Sequence, residues 1–338
     1  MLIILAVEIF AGFMLGKILI PLFRKLKTGK FDLYIGDRFK KDGSEPKFGG
    51  IIIALSMGIG LFLGISVLVS SYQIGDGGSG GRLGAAYVYC LLLMAIGIAE
   101  DYAKDRRKAI LGFKLRHKVA AQLMLSIGFL LILYLQGDGT TEVLLPFRLG
   151  YMDFGYLYYP LMGIMLTVAV NCVKLHDCFG GDTSSGCDGL CATTCLVFSL
   201  IVAVCCNVTS NSEGQLYAYC IAGTCAGILI WGLSPSKVFI GESGSLFLGG
   251  AVASMVIISK LHFLFLLAGL GFIVDGACSL IQYAVYKKSK KLIFKGNSLH
   301  AHFKAKGWSD YKVIALFSFI TLIGGVGAVA FSVYSTKL

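Results

Sequence analysis

The chain of 338 residues is 56% hydrophobic and 14% charged, with a mean hydropathy of +0.78 and a formal net charge of +11. Soluble domains carry about a quarter charged residues, so this composition excludes an ordinary soluble enzyme or binding module. It predicts an all-α polytopic membrane protein, read as one membrane domain over 1–338.

Apolar runs of about 20 residues cross a bilayer as helices. Ten are predicted: 2–23, 48–70, 82–101, 117–136, 155–174, 189–207, 216–233, 244–259, 261–286 and 312–334. The first lacks a basic start and ends in Arg24-Lys25 instead of a small-residue cleavage site, which argues against a removable leader. Only Lys260 separates the eighth run from the ninth. An even number of spans puts both termini on one side.

Charge predicts which side. With the termini outside, the inner segments hold eight Lys and Arg in 24–47, seven in 102–118, one each in 174–188 and 234–243, and eight in 287–312, which is 25 of the 30. Positive residues favour the cytoplasmic face, so the expectation is a multi-pass membrane protein with these loops in the cytoplasm. Such a basic face suits anionic lipid or a polyanionic substrate. No aromatic-and-basic module accompanies it, which argues against nucleic acid as a partner. On the outer side, 140–148 alternates like a strand and is predicted to form a small hairpin with 151–158. The eleven cysteines lie mostly within apolar runs without a CxxC pair, and read as small packing residues.

The unusual polar residues gather on the inner side. Span two opens with Pro46-Lys47-Phe48-Gly49-Gly50, whose paired glycines permit close backbone approach. Span three ends in Glu100-Asp101-Tyr102-Ala103-Lys104, an adjacent acid pair that is costly near lipid unless something positive meets it. A plain helix end paired with Lys104 and Arg107 is the competing reading. Span five ends in Asn171-Cys172-Val173-Lys174-Leu175-His176-Asp177, followed by a Gly-rich loop and Asp188. The stretch 235–246 contains Phe239 and Glu242, and the segment after span nine contains His300 and His302. Taken singly, Glu242 with Ser243 reads as a helix start, and the histidines as surface residues. Together, acids from distant segments on one face suit a Mg²⁺ ion against a phosphorylated substrate, with a free carboxylate to take a proton. The alternative of a transporter with a midplane site predicts acids deep in the spans, where only Glu8 and Asp275 qualify.

In order along the chain, these stretches resemble the motifs of the polyprenyl-phosphate N-acetylhexosamine-1-phosphate transferases, glycosyltransferase family 4. Pro46 to Gly50 is similar to Pro-Thr-Met-Gly-Gly, and Glu100 to Lys104 to Asp-Asp-x-x-Lys. Lys118 and Gln122 match a Lys-x-x-x-Gln pattern. Asn171 to Leu190 resembles Asn-Ala-Val-Asn-x-Thr-Asp-Gly-x-Asp-Gly-Leu, and Val238 to Gly249 resembles Val-Phe-Met-Gly-Asp-x-Gly-Ser-Leu-x-Leu-Gly. His300-Ala301-His302-Phe303 with Gly307-Trp308 looks like His-His-His-Phe followed by Gly-Trp, which points to the phospho-N-acetylmuramoyl-pentapeptide transferase branch.

The resemblance implies ten transmembrane helices, a homodimer, Mg²⁺ as cofactor, and transfer of phospho-MurNAc-pentapeptide from its UDP donor to undecaprenyl phosphate, releasing UMP. It implies Asp101 as the group that deprotonates or orients the lipid phosphate, with Glu100 beside it. Glu242 is implied as a metal ligand, and Asp177 and Asp188 serve the nucleotide and diphosphate, Asp177 also as a metal ligand. Phe239 would stack on uracil, and His300 and His302 would contact phosphates. Lys104, Lys118 and Asn171 complete the substrate site. Glu100 and Glu242 stand where the family has Asp, Lys174 where it has Asn, and His176 where it has Thr. A sibling enzyme taking UDP-N-acetylglucosamine and an inactive relative are the alternatives.

Overall fold

With no water in the hydrocarbon layer, each apolar run must satisfy its own backbone, and a helix does so. The structure is a computed structural model that describes residues 1–25, 46, 48–70, 78–107, 114–145, 150–177 and 187–336. Its helices are α1 (Leu2–Lys25), α2 (Gly49–Ser70), α3 (Gly78–Arg107), α4 (Leu115–Leu135), α5 (Tyr158–His176), α6 (Leu190–Val208), α7 (Ser212–Gly232), α8 (Gly241–Ile258), α9 (Leu264–Ala268), α10 (Leu270–Ser289), α11 (Leu299–Ala305) and α12 (Asp310–Ser335). Among the described residues, α1 to α8 and α12 are long and apolar enough to cross a membrane. The chain is an all-α polytopic membrane protein with a small hairpin. That hairpin pairs β1 (Glu142–Leu145) antiparallel with β2 (Gly150–Asp153), where the sequence alternation predicts it.

The ninth predicted span, 261–286, is not one continuous helix. It divides into α9 and α10 at Gly269, whose amide closes onto Phe265 O at 2.9 Å. A Cβ at Gly269 would lie 2.3 Å from that oxygen, so only glycine fits the turn. Continuous hydropathy cannot reveal a break of this kind.

The architecture is organised around α8, all 18 residues of which are buried. A helix apolar on every side belongs inside a bundle, and α8 packs against α2, α3 and α5. Small residues bring its first turn close to its neighbours. A Cβ on Gly50 of α2 would fall 2.5 Å from Gly244 N, and one on Gly97 of α3 would fall 2.6 Å from Glu242 O. The expected close approach at Gly49-Gly50 is therefore to backbone of the α7–α8 connection and of α8. Between α1 and α7 the same device recurs, where a Cβ on Gly12 would lie 2.9 Å from Gly227 Cα. Glu8 of α1 is fully buried there, and its Oε2 accepts from Ser56 Oγ of α2 (2.8 Å) and Thr224 Oγ1 of α7 (3.0 Å).

The two ends of the bundle carry different chemistry. Near the start of α3, Arg82 pairs with Asp138 (3.2 Å) and Glu213 (2.6 Å), and Lys260 also reaches Asp138 (3.3 Å). Glu100 lies 18 residues further along the same helix, about 27 Å away at 1.5 Å per residue. Among the described residues nine cysteines are buried and free, and Cys278 is free and half-buried.

Candidate active site

At the Glu100 end, four helices contribute charge to one buried group. Lys118 and Gln122 share a face of α4, as do Asn171 and Lys174 on α5, because residues three or four apart are neighbours on a helix. The two faces meet where Asn171 Nδ2 donates to Gln122 Oε1 (2.6 Å) and to Thr167 O (2.8 Å). The Lys118 ammonium pairs with Glu100 of α3. Lys174 Nζ lies 2.9 Å from Glu242 Oε2 of α8 and 3.6 Å from Glu100 Oε2. Two ammonium groups thus face two carboxylates, with Glu100, Lys118 and Glu242 each no more than 7% exposed. Asp101, half-buried beside this group, faces the Ser243 N–H from 3.4 Å. That amide belongs to the first turn of α8, whose free N–H groups favour an anion.

A cleft adjoins α8. Asp177, Asp188 and Phe239 line it together with Cys191, Leu229 and Val238. A backbone ladder fixes Phe239: its N–H donates to Pro46 O (3.0 Å) and its carbonyl accepts from Gly49 N (2.9 Å). Asp188 Oδ2 lies 3.4 Å from Ser236 N.

The histidines have separate surroundings. His300 is buried, and its Nδ1 lies 2.6 Å from Asp275 Oδ2. His176 Nδ1 lies 2.9 Å from the same oxygen. The other oxygen, Oδ1, accepts from the amides of Leu299 (2.9 Å) and His300 (3.1 Å), so an acid on α10 fixes the start of α11. These His and Asp ligand atoms lie within 4.8 Å of one another. Their separations are those of hydrogen bonds, shorter than the roughly 3.3 Å between donors sharing a tetrahedral metal. We therefore read them as a hydrogen-bonded triad. His302 is half-buried between Phe294 and Phe303, and its Nδ1 accepts from Lys295 N (3.0 Å). Slight burial, Lys306 and Lys295 push its imidazole below the ordinary value. With Nδ1 accepting the Lys295 bond, the ring carries its proton on Nε2.

The structure thus brings Glu100, Asp101, Lys118 and Glu242 into one group, and Asp177, Asp188 and Phe239 into one cleft. His300 lies in a separate cluster with Asp275 and His176, the neighbour of Asp177 in the chain, and His302 packs between Phe294 and Phe303. The Lys104 side chain, Lys47, Asp182 and most of the Gly-rich loop lie outside the described residues. Sequence reasoning singled out Lys174 and His176 as departures from the family motif and Asp275 as an acid inside a span that supports either the site or a helix contact, and gave none of the three a role. The available signal was a lone acid within an apolar run for Asp275, and a cation on the inner face of a helix end for Lys174.

The expected Mg²⁺ meets an obstacle at Glu242. Mg²⁺ demands oxygen donors at about 2.0–2.1 Å in near-octahedral array. Here the candidate donor has an ammonium at 2.9 Å. Like charges about 4 Å apart repel by about 4 kcal/mol per unit pair at an effective dielectric of about 20. Glu242 as it stands does not fit a metal-ligand role.

Comparison with known proteins places this arrangement. The sequence profile of glycosyl transferase family 4 matches residues 83–260, more than half of the chain. The phospho-N-acetylmuramoyl-pentapeptide-transferase of Halalkalibacterium halodurans is 32% identical over 95% of this chain and 94% of its own length. The protein of that name from Shouchella clausii is 30% identical over 99% of this chain and 98% of its own. The one from Caldicellulosiruptor bescii is 29% identical, covering 90% of this chain and 89% of its own.

Proposed function

We propose that this chain, which belongs to glycosyl transferase family 4, transfers phospho-N-acetylmuramoyl-pentapeptide from its UDP donor to undecaprenyl phosphate and releases UMP. The observation that carries the reading is the convergence of Asp101, Glu100, Glu242, Asp177 and Asp188, from four separate stretches of chain, around the first turn of α8 and the cleft beside it. The names of the relatives supply the donor class.

In this reading a phosphate oxygen of the lipid attacks the β-phosphorus of the donor. A new P–O bond forms, the bond between the β-phosphorus and the oxygen bridging it to the α-phosphate breaks, and its electron pair leaves on UMP. Asp101 takes the proton of the lipid phosphate or orients it, held by the Ser243 amide. Glu100 sets Lys118, and Asn171 sets Gln122 on the adjoining helix face. Phe239, which lines the Asp177–Asp188 cleft, offers a ring for uracil. His302 donates Nε2–H to a phosphate oxygen, and His300, oriented by Asp275, offers its ring to another. Lys104 adds charge at the same helix end. The family resemblance implies Mg²⁺, which would screen the diphosphate; because Glu242 does not accommodate it, no step here runs through the ion.

The charge asymmetry of the loops supports a cytoplasmic site in a bacterial inner membrane, and the resemblance supports a homodimer. The test is UMP release by the purified protein given undecaprenyl phosphate and either donor. Turnover with UDP-MurNAc-pentapeptide is expected. Turnover with UDP-N-acetylglucosamine alone, or with neither donor, contradicts the assignment.

A further inference from the structure

We propose that Lys174 is the resident cation of this site: its ammonium occupies the position between Glu100 and Glu242 that a bridging divalent ion would need, so these two acids hold no metal and the site works with a covalently tethered charge. The proposal deepens the transferase reading and rests on it only for the identity of the substrate.

Three features of the site carry it. The first is placement, since one ammonium lies 2.9 Å from Glu242 Oε2 and 3.6 Å from Glu100 Oε2, between acids on two different helices. The second is pairing: among the described residues Glu100 lies against Lys118 and Glu242 against Lys174, so each of the two buried acids already faces an ammonium. A divalent ion added there would sit against the Lys174 ammonium among side chains no more than 16% exposed, where like charges are poorly screened. The third is confinement. Lys174 lies on the last turns of α5, against α8, and moving its ammonium off Glu242 would strand a charge at a buried helix end. With part of its surface still exposed, the ammonium can donate to a phosphate oxygen arriving from the adjoining cleft.

The experiment is a Mn²⁺ titration followed by electron paramagnetic resonance on the full chain in detergent, for the unmutated protein, Lys174→Asn, Glu242→Gln and the double variant. Mn²⁺ is the probe, and no turnover is needed. The expected result is binding roughly 10–100-fold tighter in Lys174→Asn than in the unmutated chain, with the gain erased in the double variant. Equal affinity in the unmutated chain and Lys174→Asn would overturn the proposal. Should Lys174→Asn fail to fold, the unmutated chain and Glu242→Gln decide the matter. Absent Mn²⁺ binding, or binding that Glu242→Gln leaves unchanged, supports a tethered cation; binding that Glu242→Gln removes overturns it. If no donor yields UMP while the Mn²⁺ pattern holds, the transferase assignment fails and the tethered cation stands.

Discussion

Asp275 grips His300 with both carboxylate oxygens: Oδ2 lies 2.6 Å from the ring Nδ1, and Oδ1 accepts from the backbone amide at 3.1 Å. The same Oδ2 also meets His176, the residue before Asp177 in the chain. One buried acid therefore joins the end of α5 to the start of α11, and sets the orientation of a histidine proposed to contact phosphate.

Replacing that acid should uncouple the two segments. In Asp275→Asn the acceptor shared by the two rings becomes an amide, and His300 loses its fixed orientation. Misplacing a positioned group by about 1 Å costs about 100-fold in rate. We expect a turnover loss of that order with less effect on KM for the donor. Unchanged turnover with a folded protein would remove Asp275 from the positioning role.

The first turn of α8 should tolerate no added bulk from α3. A Cβ at Gly97 would fall 2.6 Å from backbone atoms of Glu242 and Ser243, whereas one at Gly84 of the same helix meets nothing within 4 Å. Gly97→Ala should cost about 1–3 kcal/mol through overpacking and reduce turnover, because it displaces the amide that faces Asp101. Gly84→Ala should be neutral, or stabilising by up to about 1 kcal/mol. Thermal melts and UMP release on the two variants check both halves of the contrast.

Glu8 should act as a clamp remote from the chemistry. Its carboxyl is the shared acceptor for Ser56 and Thr224; Glu8→Ala strands the Thr224 hydroxyl in a dry interface and leaves the Ser56 hydroxyl only the backbone carbonyl of residue 8, at 3.2 Å. The expected cost is about 1–3 kcal/mol, read as a lower melting temperature, with KM for both substrates unchanged in the protein that remains folded. A melting temperature equal to that of the unmutated chain would contradict the clamp.

At the opposite end of the bundle, acid should weaken the fold through Asp138. Burial raises its carboxyl, but Lys260 and then Arg82 outweigh burial and hold it below the ordinary carboxylate value. A carboxyl depressed in the folded state contributes stability that is present above its unfolded value of about 3.9 and is lost as pH falls through the lower folded value. Melting temperature should therefore drop more steeply below about pH 4 in the unmutated protein than in Asp138→Asn. Parallel profiles would show that the Arg82 and Lys260 pairs contribute nothing.

Much of this was legible in the sequence for a physical reason. Lipid forces long apolar runs into helices, so hydropathy marked most of the spans, and strand alternation marked the hairpin at Glu142–Asp153. The acids at helix ends pointed to one face because the span count alternates sides. What stayed hidden depends on which helices touch. That Lys174 would find Glu242 requires α5 to lie against α8 in a particular rotation, which no local pattern encodes. The turn at Gly269 lies within unbroken apolar sequence, and Asp275, far along the chain from the α5 end, finds its partners only after α10 and α11 fold onto it.

The most direct measurement is UMP release by purified, folded Asp101→Asn beside the unmutated chain, with UDP-MurNAc-pentapeptide and undecaprenyl phosphate. Losing a positioned proton acceptor costs about 100- to 10,000-fold. A loss in that range, with the variant's melting temperature preserved, is the result this site requires. Undiminished release by Asp101→Asn would mean that the acids gathered at the start of α8 do not perform the transfer.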